Sequence, residues 1–188
     1  IELAQDLGVR TIQLAGYDVY YEEKSPQTRQ RFIKNLRKAC DWAEEAQVVL
    51  AIEIMDDPFI NSIEKYLAVE KEIDSPYLFV YPDIGNVSAW HNDVYSEFYL
   101  GHHAIAALHL KDTYAVTESS KGQFRDVPFG QGCVNWEEAF DILKQTNYNG
   151  PFLIEMWSEN CETVEETRAA IQEAQAFLYP LIKKAGLM

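Results

Sequence analysis

Val48 to Met55 reads Val-Val-Leu-Ala-Ile-Glu-Ile-Met, an apolar and largely β-branched run that carries one carboxylate. Such a run predicts a parallel strand covered by helices, because a strand buried on both faces needs apolar side chains on both. An ionised carboxylate there is costly unless it is paired, hydrogen-bonded, or placed at the strand's exit facing a cleft, and this singles out Glu53. Three later stretches repeat the pattern. Tyr77 to Asn86 (Tyr-Leu-Phe-Val-Tyr-Pro-Asp-Ile-Gly-Asn) leads to Asp83. Ile105 to Asp112 (Ile-Ala-Ala-Leu-His-Leu-Lys-Asp) carries His109, and Pro151 to Trp157 (Pro-Phe-Leu-Ile-Glu-Met-Trp) carries Glu155. A Glu, an Asp, a His and a Glu, each near the carboxyl end of its own predicted strand, form one set.

Helical periodicity fills the intervals. Ile1 to Leu7 is spaced as a helix closing at Gly8, and Val9 to Leu14 as a strand. Ser25 caps a helix with Pro26 in its first turn and an inward stripe of Phe32, Leu36, Ala39, Cys40 and Ala43. Asp56, Asp57 and Pro58 are expected to open a second helix running to about Ile73. Pro82 ends ladder pairing and Gly85 permits a turn, which holds Asp83 on a bend. Asp93 to His103 is expected to be helical, and Asn135 to cap a helix from Trp136 to Gln145. Tyr114 to Cys133 has no clear period and is expected to be a long functional loop. Glu162 to Lys184 predicts a helix with Val164, Ala169, Ile171, Ala174, Phe177 and Leu178 inward, kinked or ended early by Pro180.

Strand and helix thus alternate through five strands with no linker, which means parallel strands joined by right-handed crossovers. A doubly wound sheet and a (β/α)8 TIM barrel both satisfy this. A full barrel takes about 250 residues, and this chain has 188, starting without Met and inside a helix. The expectation is one domain over 1–188, the last five strand-helix units of an N-terminally truncated barrel. Open edge strands would then favour a homo-oligomer.

The bulk composition narrows the function. A net charge of −14 disfavours nucleic acid, which is bound by clustered Lys and Arg. No apolar run reaches the roughly 20 residues of a membrane span, and nothing at the start reads as a signal peptide. The three cysteines, Cys40, Cys133 and Cys161, lack metal-ligand spacing and read as reduced thiols of a cytoplasmic protein.

The intervals within the set are 30 residues from Glu53 to Asp83, 26 to His109 and 46 to Glu155. The first two each match one unit of a barrel with roughly 31 residues per unit, and the third adds the long loop. Three carboxylates and an imidazole make a site suited to one divalent Mn, Zn, Mg or Co ion. Positions left open on such an ion accept adjacent carbonyl and hydroxyl oxygens, as in a ketose. The ion then polarises the carbonyl and stabilises the enediolate that proton removal forms. Glu53 and Glu155, serving as base on one face and acid on the other, would invert the carbon. Singly, each of these residues is more often a salt-bridged, turn-forming or core residue; it is their joint spacing that argues for a site.

The run from Ala51 to Ser62 (Ala-Ile-Glu-Ile-Met-Asp-Asp-Pro-Phe-Ile-Asn-Ser), with Tyr-Pro-Asp-Ile-Gly-Asn-Val-Ser-Ala-Trp, Leu-His-Leu-Lys-Asp and Arg-Asp-Val-Pro-Phe-Gly-Gln-Gly, resembles the bacterial L-ribulose-5-phosphate 3-epimerases, also called L-xylulose-5-phosphate 3-epimerases. These lie in the xylose-isomerase-like TIM barrel superfamily and serve L-ascorbate and related pentose utilisation. The resemblance implies one divalent metal on Glu53, Asp83, His109 and Glu155, the two glutamates as the proton-transfer pair, and a sugar-phosphate substrate held near the metal by Arg125. Lys111, Lys121, Asn86 and Ser62 are the chemical candidates for the phosphate. Trp157 is the tryptophan expected to wall the cleft.

Three other readings remain at this point. An aldose–ketose isomerase of the same superfamily would need a second metal for hydride shift. A trinuclear-zinc endonuclease acting on abasic DNA would call for more His and a basic face. The chain could instead be a non-catalytic sugar-phosphate binding protein or an inactive fragment.

Overall fold

In a computed structural model describing residues 1–188, alternation of strand and helix is what the sequence builds. Helix α1 (Glu2–Leu7) closes on Gly8 in the left-handed conformation and leads into β1 (Thr11–Ala15). Helix α2 (Pro26–Ala46) follows a reciprocal cap between Ser25 and Thr28 and buries Leu36, Cys40 and Ala43 of the predicted stripe together with Ile33, while Phe32 and Ala39 are half-buried. Next come β2 (Val49–Glu53), α3 (Ile63–Ile73), β3 (Leu78–Tyr81), α4 (Ile84–Ala89) and α5 (Val94–Gly101). The rest of the chain is β4 (Leu108–Leu110), a hairpin of β5 (Asp112–Tyr114) and β6 (Gln123–Val127), α6 (Trp136–Gln145), β7 (Phe152–Ile154) and α7 (Val164–Ala185).

Strands β1, β2 and β3 pair in parallel, with Ala15 opposite Glu53 and Glu53 opposite Tyr81. Strand β4 pairs in parallel with β7. Parallel bridges from Val80 to Ile105 and from Asp83 to His109 join the two groups, so five strands form one arc in the order β1, β2, β3, β4, β7. Each connection along the arc carries a helix, α2, α3, α4 with α5, and α6 in turn, packed against the strands in the main core. Most of the core lies between strands and helices, built on Leu50, Ile52, Val80, Leu108 and Leu110 against Ile63, Tyr66, Phe98, Phe140 and Leu178. A small inner layer of Ala51, Tyr81 and Ala107 lies apart from it.

The structure departs from expectation in five places. Helix α3 starts at Ile63, not at Asp56 to Pro58: Asp57 accepts the Phe59 amide in a local turn, and the capping oxygen is that of Ser62, which accepts from Lys65 N. Tyr114 to Cys133 is not all loop, since β6 pairs antiparallel with β5. The short helix α4 directly after Asp83 was not anticipated. In α7, Val164, Ala169 and Ile171 are exposed, and only the second half packs inward through Ala174, Leu178 and Ile182. Pro180 does not end α7, because Pro180 and the preceding turn's Ala176, whose carbonyl loses its donor, both face water.

Candidate metal centre

Glu53 is the last residue of β2, and Glu155 directly follows β7, its amide donating to Leu110 O at 3.0 Å. Asp83 sits where Pro82 has ended β3. One of its oxygens, Oδ1, caps α4 by accepting from Asn86 N at 2.7 Å, which leaves Oδ2 free to face inward. His109 is the middle residue of β4, and its amide donates to Pro82 O at 3.0 Å, tying the bend of Asp83 to the neighbouring strand. The Tyr81 ring meets the imidazole edge-on, with ring centroids 4.6 Å apart.

These strand ends bring the four side chains to one point. One ligand atom from each of Glu53, Asp83, His109 and Glu155 lies within 4.8 Å of the other three. His109 Nδ1 stands 2.7 Å from Glu53 Oε1, 3.1 Å from Glu155 Oε2 and 3.9 Å from Asp83 Oδ2. Lys111, two residues along from His109 and equally buried, places its ammonium 3.1 Å from Asp83 Oδ2 and 3.3 Å from Glu155 Oε2.

The donor set fits a divalent cation. Asp83 Oδ2 and Glu155 Oε2 are buried and accept no hydrogen bond, with the charges of Lys111 and His109 beside them. Buried acceptors aimed at a common point and left unpaired are costly, and a cation placed among them removes that cost. Without a cation, the charges of Lys111 and His109 are what these oxygens face. Burial pushes Asp83 well above the ordinary carboxylate range, with Lys111 opposing and Glu155 adding to the rise. For Glu155, burial also works upward, but His109, Asp83 and Lys111 outweigh it and bring the group down to about 2. Burial opposes the charge of His109, yet the Glu155 and Glu53 carboxylates beside it hold it up to about 9.

Of the residues considered for substrate, two border this centre. Arg125, on β6, lies with its guanidinium 4.9 Å from the centroid of the Trp157 ring, and the Lys111 ammonium lies 5.2 Å from the same centroid. Trp157 does wall a cleft, of about 430 Å³, beside Lys111, Glu155, Pro128, Gln131 and Asn160. The other three are not brought in. Ser62 is buried and spends its hydroxyl on the α3 cap. Asn86 is buried with its amide donating to Ile54 O at 2.9 Å. Lys121 is exposed at the hairpin turn and bonded to nothing in the centre.

Sequence reasoning passed over two residues. Gln13 on β1 donates to Glu53 Oε2, and its signal was a lone amide in an apolar strand. Asp112, quoted in the Leu-His-Leu-Lys-Asp run but given no role, is a buried carboxylate that accepts from Gly130 N, Gly132 N and Trp136 Nε1 on Oδ2 and from Thr113 N and Val134 N on Oδ1. It thereby fixes the segment that follows β6 along the cleft.

Residues 1–181 match the family model described as "Xylose isomerase-like TIM barrel". The chain belongs to this family. The resemblance carried by its strand-end motifs is borne out: over 188 residues it is 52% identical to the "Putative L-ribulose-5-phosphate 3-epimerase SgbU" of Haemophilus influenzae, covering all of this chain and 65% of that protein. It is 47% identical over 188 residues to the L-ribulose-5-phosphate 3-epimerase UlaE of Escherichia coli O157:H7, covering 63% of that protein. The chain therefore spans slightly less than two thirds of the length of these relatives. Among solved structures, an L-ribulose 3-epimerase superposes with a TM-score of 0.77 at 19% identity, over 98% of this chain and 65% of that one, a likeness of fold. A xylose isomerase domain protein from Planctomyces limnophilus gives 0.77 at 20% identity, over 100% of this chain and 63% of that one. The five-strand arc is thus part of a TIM barrel architecture. No helix in it is long and apolar enough to cross a membrane.

Proposed function

We propose that residues 1–188 act as one domain and carry the centre of a cytoplasmic, metal-dependent 3-epimerase for ketopentose 5-phosphates, interconverting L-ribulose 5-phosphate and L-xylulose 5-phosphate in the catabolism of L-ascorbate or related pentoses. The observation that carries this reading is the convergence of Glu53, Asp83, His109 and Glu155 from four consecutive strands of the arc, with two buried oxygens that accept no hydrogen bond. The names of the relatives supply the substrate class.

Glu53, Asp83, His109 and Glu155 would hold one divalent cation, of the Mn, Zn, Mg or Co class. When bound, such a cation is a Lewis acid that polarises the C2 carbonyl of a ketose and acidifies the adjoining C3–H. The two glutamates come from the outer two of the four ligand-bearing strands, β2 and β7, with Asp83 and His109 between them. A substrate C3 lying between them meets a carboxylate on each face. One glutamate takes the C3 proton as the electron pair delocalises onto C2–O2, and the other returns a proton to the opposite face. The configuration at C3 inverts while the carbonyl stays at C2. Solvent exchange resets the two carboxyls. Lys111, buried beside Glu155, would donate to a substrate hydroxyl, and Arg125 with Trp157 would hold the phosphate end.

The chain loaded with Mn²⁺ and given L-ribulose 5-phosphate in D₂O should incorporate deuterium at C3 as L-xylulose 5-phosphate forms, followed by NMR. Loss of this exchange in Glu155→Gln with metal still bound fits the two-carboxylate scheme. Migration of the carbonyl to C1 with no deuterium at C3 would replace the reading with an isomerase, and bound metal with neither exchange nor conversion would replace it with a binding role.

A further inference from the structure

Gln13 and Glu53 lie on the same inner face of the arc. In the parallel register Ala15 stands opposite Glu53 and Gln13 opposite Ala51, so Gln13 is one inward-facing position below the end of β1. The neighbouring inward positions are both alanine, which leaves room for the longer side chain to reach up and across. Its amide Nε2 lies 2.5 Å from Glu53 Oε2, while the other oxygen of that carboxylate, Oε1, is the one 2.7 Å from His109 Nδ1. Ile12 and Leu14, on the outer face of β1, pack against the main core. A glutamine on the inner face of the arc contributes nothing to that packing, and its side chain bonds to Glu53.

We propose that Gln13 is a positioning residue that divides the labour of the two Glu53 oxygens: it holds Oε2 away from the cation position, so that Oε1 alone faces the cation and Oε2 is kept for the C3 proton. This rests on the function proposed above. A glutamate carboxylate turns easily about its last torsion, and unrestrained it can present both oxygens to one cation. An N–H bond to one oxygen stops that rotation and still leaves that oxygen a free lone pair. Glu155 differs from Glu53 here, because its Oε2 is surrounded by His109 and Lys111, both on or beside β4.

Cobalt(II) is the probe, because its visible absorption weakens as coordination number rises. Titrated into the 188-residue chain, Co²⁺ should give a visible band that a Gln13→Leu variant weakens as Glu53 becomes bidentate. Affinity should fall by about 10-fold, as for other residues that orient a ligand. A Gln13→His variant, which keeps an N–H donor, should restore the parent band. The urea midpoint of each variant checks that it is folded, and Gln13→Met serves if the leucine variant is not. A parent chain with no Co²⁺ band would overturn the metal reading itself. A parent band that Gln13→Leu and Gln13→Met leave unchanged in intensity would overturn the role of Gln13 while the metal reading stands.

Discussion

Replacing Asp112 by Asn tests how the loop bordering the cleft is held. The carboxylate is almost fully buried, with no Lys, Arg or His in ion-pair contact, and its charge is stabilised by N–H donors instead. Oδ2 accepts from Gly130 N at 2.8 Å, Gly132 N at 3.2 Å and Trp136 Nε1 at 3.4 Å, and Oδ1 from Thr113 N at 3.0 Å and Val134 N at 3.3 Å. The amino end of α6, which starts at Trp136, adds its dipole. An asparagine keeps one acceptor oxygen and turns an NH₂ group toward the other donors. With the oxygen kept on the three-donor side, the amides of Thr113 and Val134 lose their acceptor and face another donor. At roughly 2 kcal/mol for each buried N–H left unsatisfied, the cost is about 4 kcal/mol. That is a large part of the roughly 5–15 kcal/mol that holds a domain folded. The neighbourhood offers little relief, because even a methyl group on Gly132 would fall 2.0 Å from Asp112 Oδ1. Urea unfolding of the Asp112→Asn variant measures the difference, and a loss below about 1 kcal/mol would refute the claim that this anion organises the loop.

Gly85→Ala should be destabilised by about 1–3 kcal/mol as an overpacked site and should lower metal affinity. Its Cβ would fall 2.6 Å from Lys111 O and 2.8 Å from Thr113 Cγ2, pushing α4 and Asp83 away from β4; calorimetry and a Mn²⁺ titration check both effects. In the metal-free protein His109 carries a raised pKa of about 9. Its contribution to stability is therefore fully present below the unfolded value of about 6.5 and is lost as pH rises through about 9. Histidine NMR titration and urea midpoints across that window should show this loss, and a His109→Gln variant should not. Metal reverses the dependence, because a ligating imidazole must be neutral: uptake releases a proton below pH 9 and tightens as pH rises. Chelation should lower the thermal midpoint, since metal at 100 times its Kd adds about 2.7 kcal/mol.

The strands and their candidate site residues were legible because the barrel repeat leaves a chemical signature: apolar runs that end in a carboxylate or carry an imidazole, about one unit apart. Glu53, Asp83, His109 and Glu155 are singled out by that spacing together with the motif resemblance, and the bend at Asp83 by Pro82. What was hidden depends on contacts between residues distant in sequence. The β5–β6 hairpin pairs Asp112 with Val127 through a polar strand, Gln-Phe-Arg-Asp-Val, that shows no burial period. Asp57 and Pro58 carry the residue types of a helix start, but Asp57 turns its oxygen to Phe59 N and the true cap is Ser62. The outward Val164 and Ile171 have the spacing of an inward stripe, yet no core residue reaches the first half of α7. Asn86 and Ser62 are the right types to bind a phosphate but are engaged by Ile54 O and by the α3 cap, which composition does not reveal. Gln13 shows in the sequence as a polar residue in an apolar strand, while its partner shows only once β1 and β2 are in register.

The most direct test of the centre is a crystal of the chain soaked in Mn²⁺ and measured for anomalous scattering. One peak is expected within about 2.0–2.4 Å of Glu53 Oε1, Asp83 Oδ2, His109 Nδ1 and Glu155 Oε2. A peak elsewhere, or none with the four side chains in place, would contradict the account.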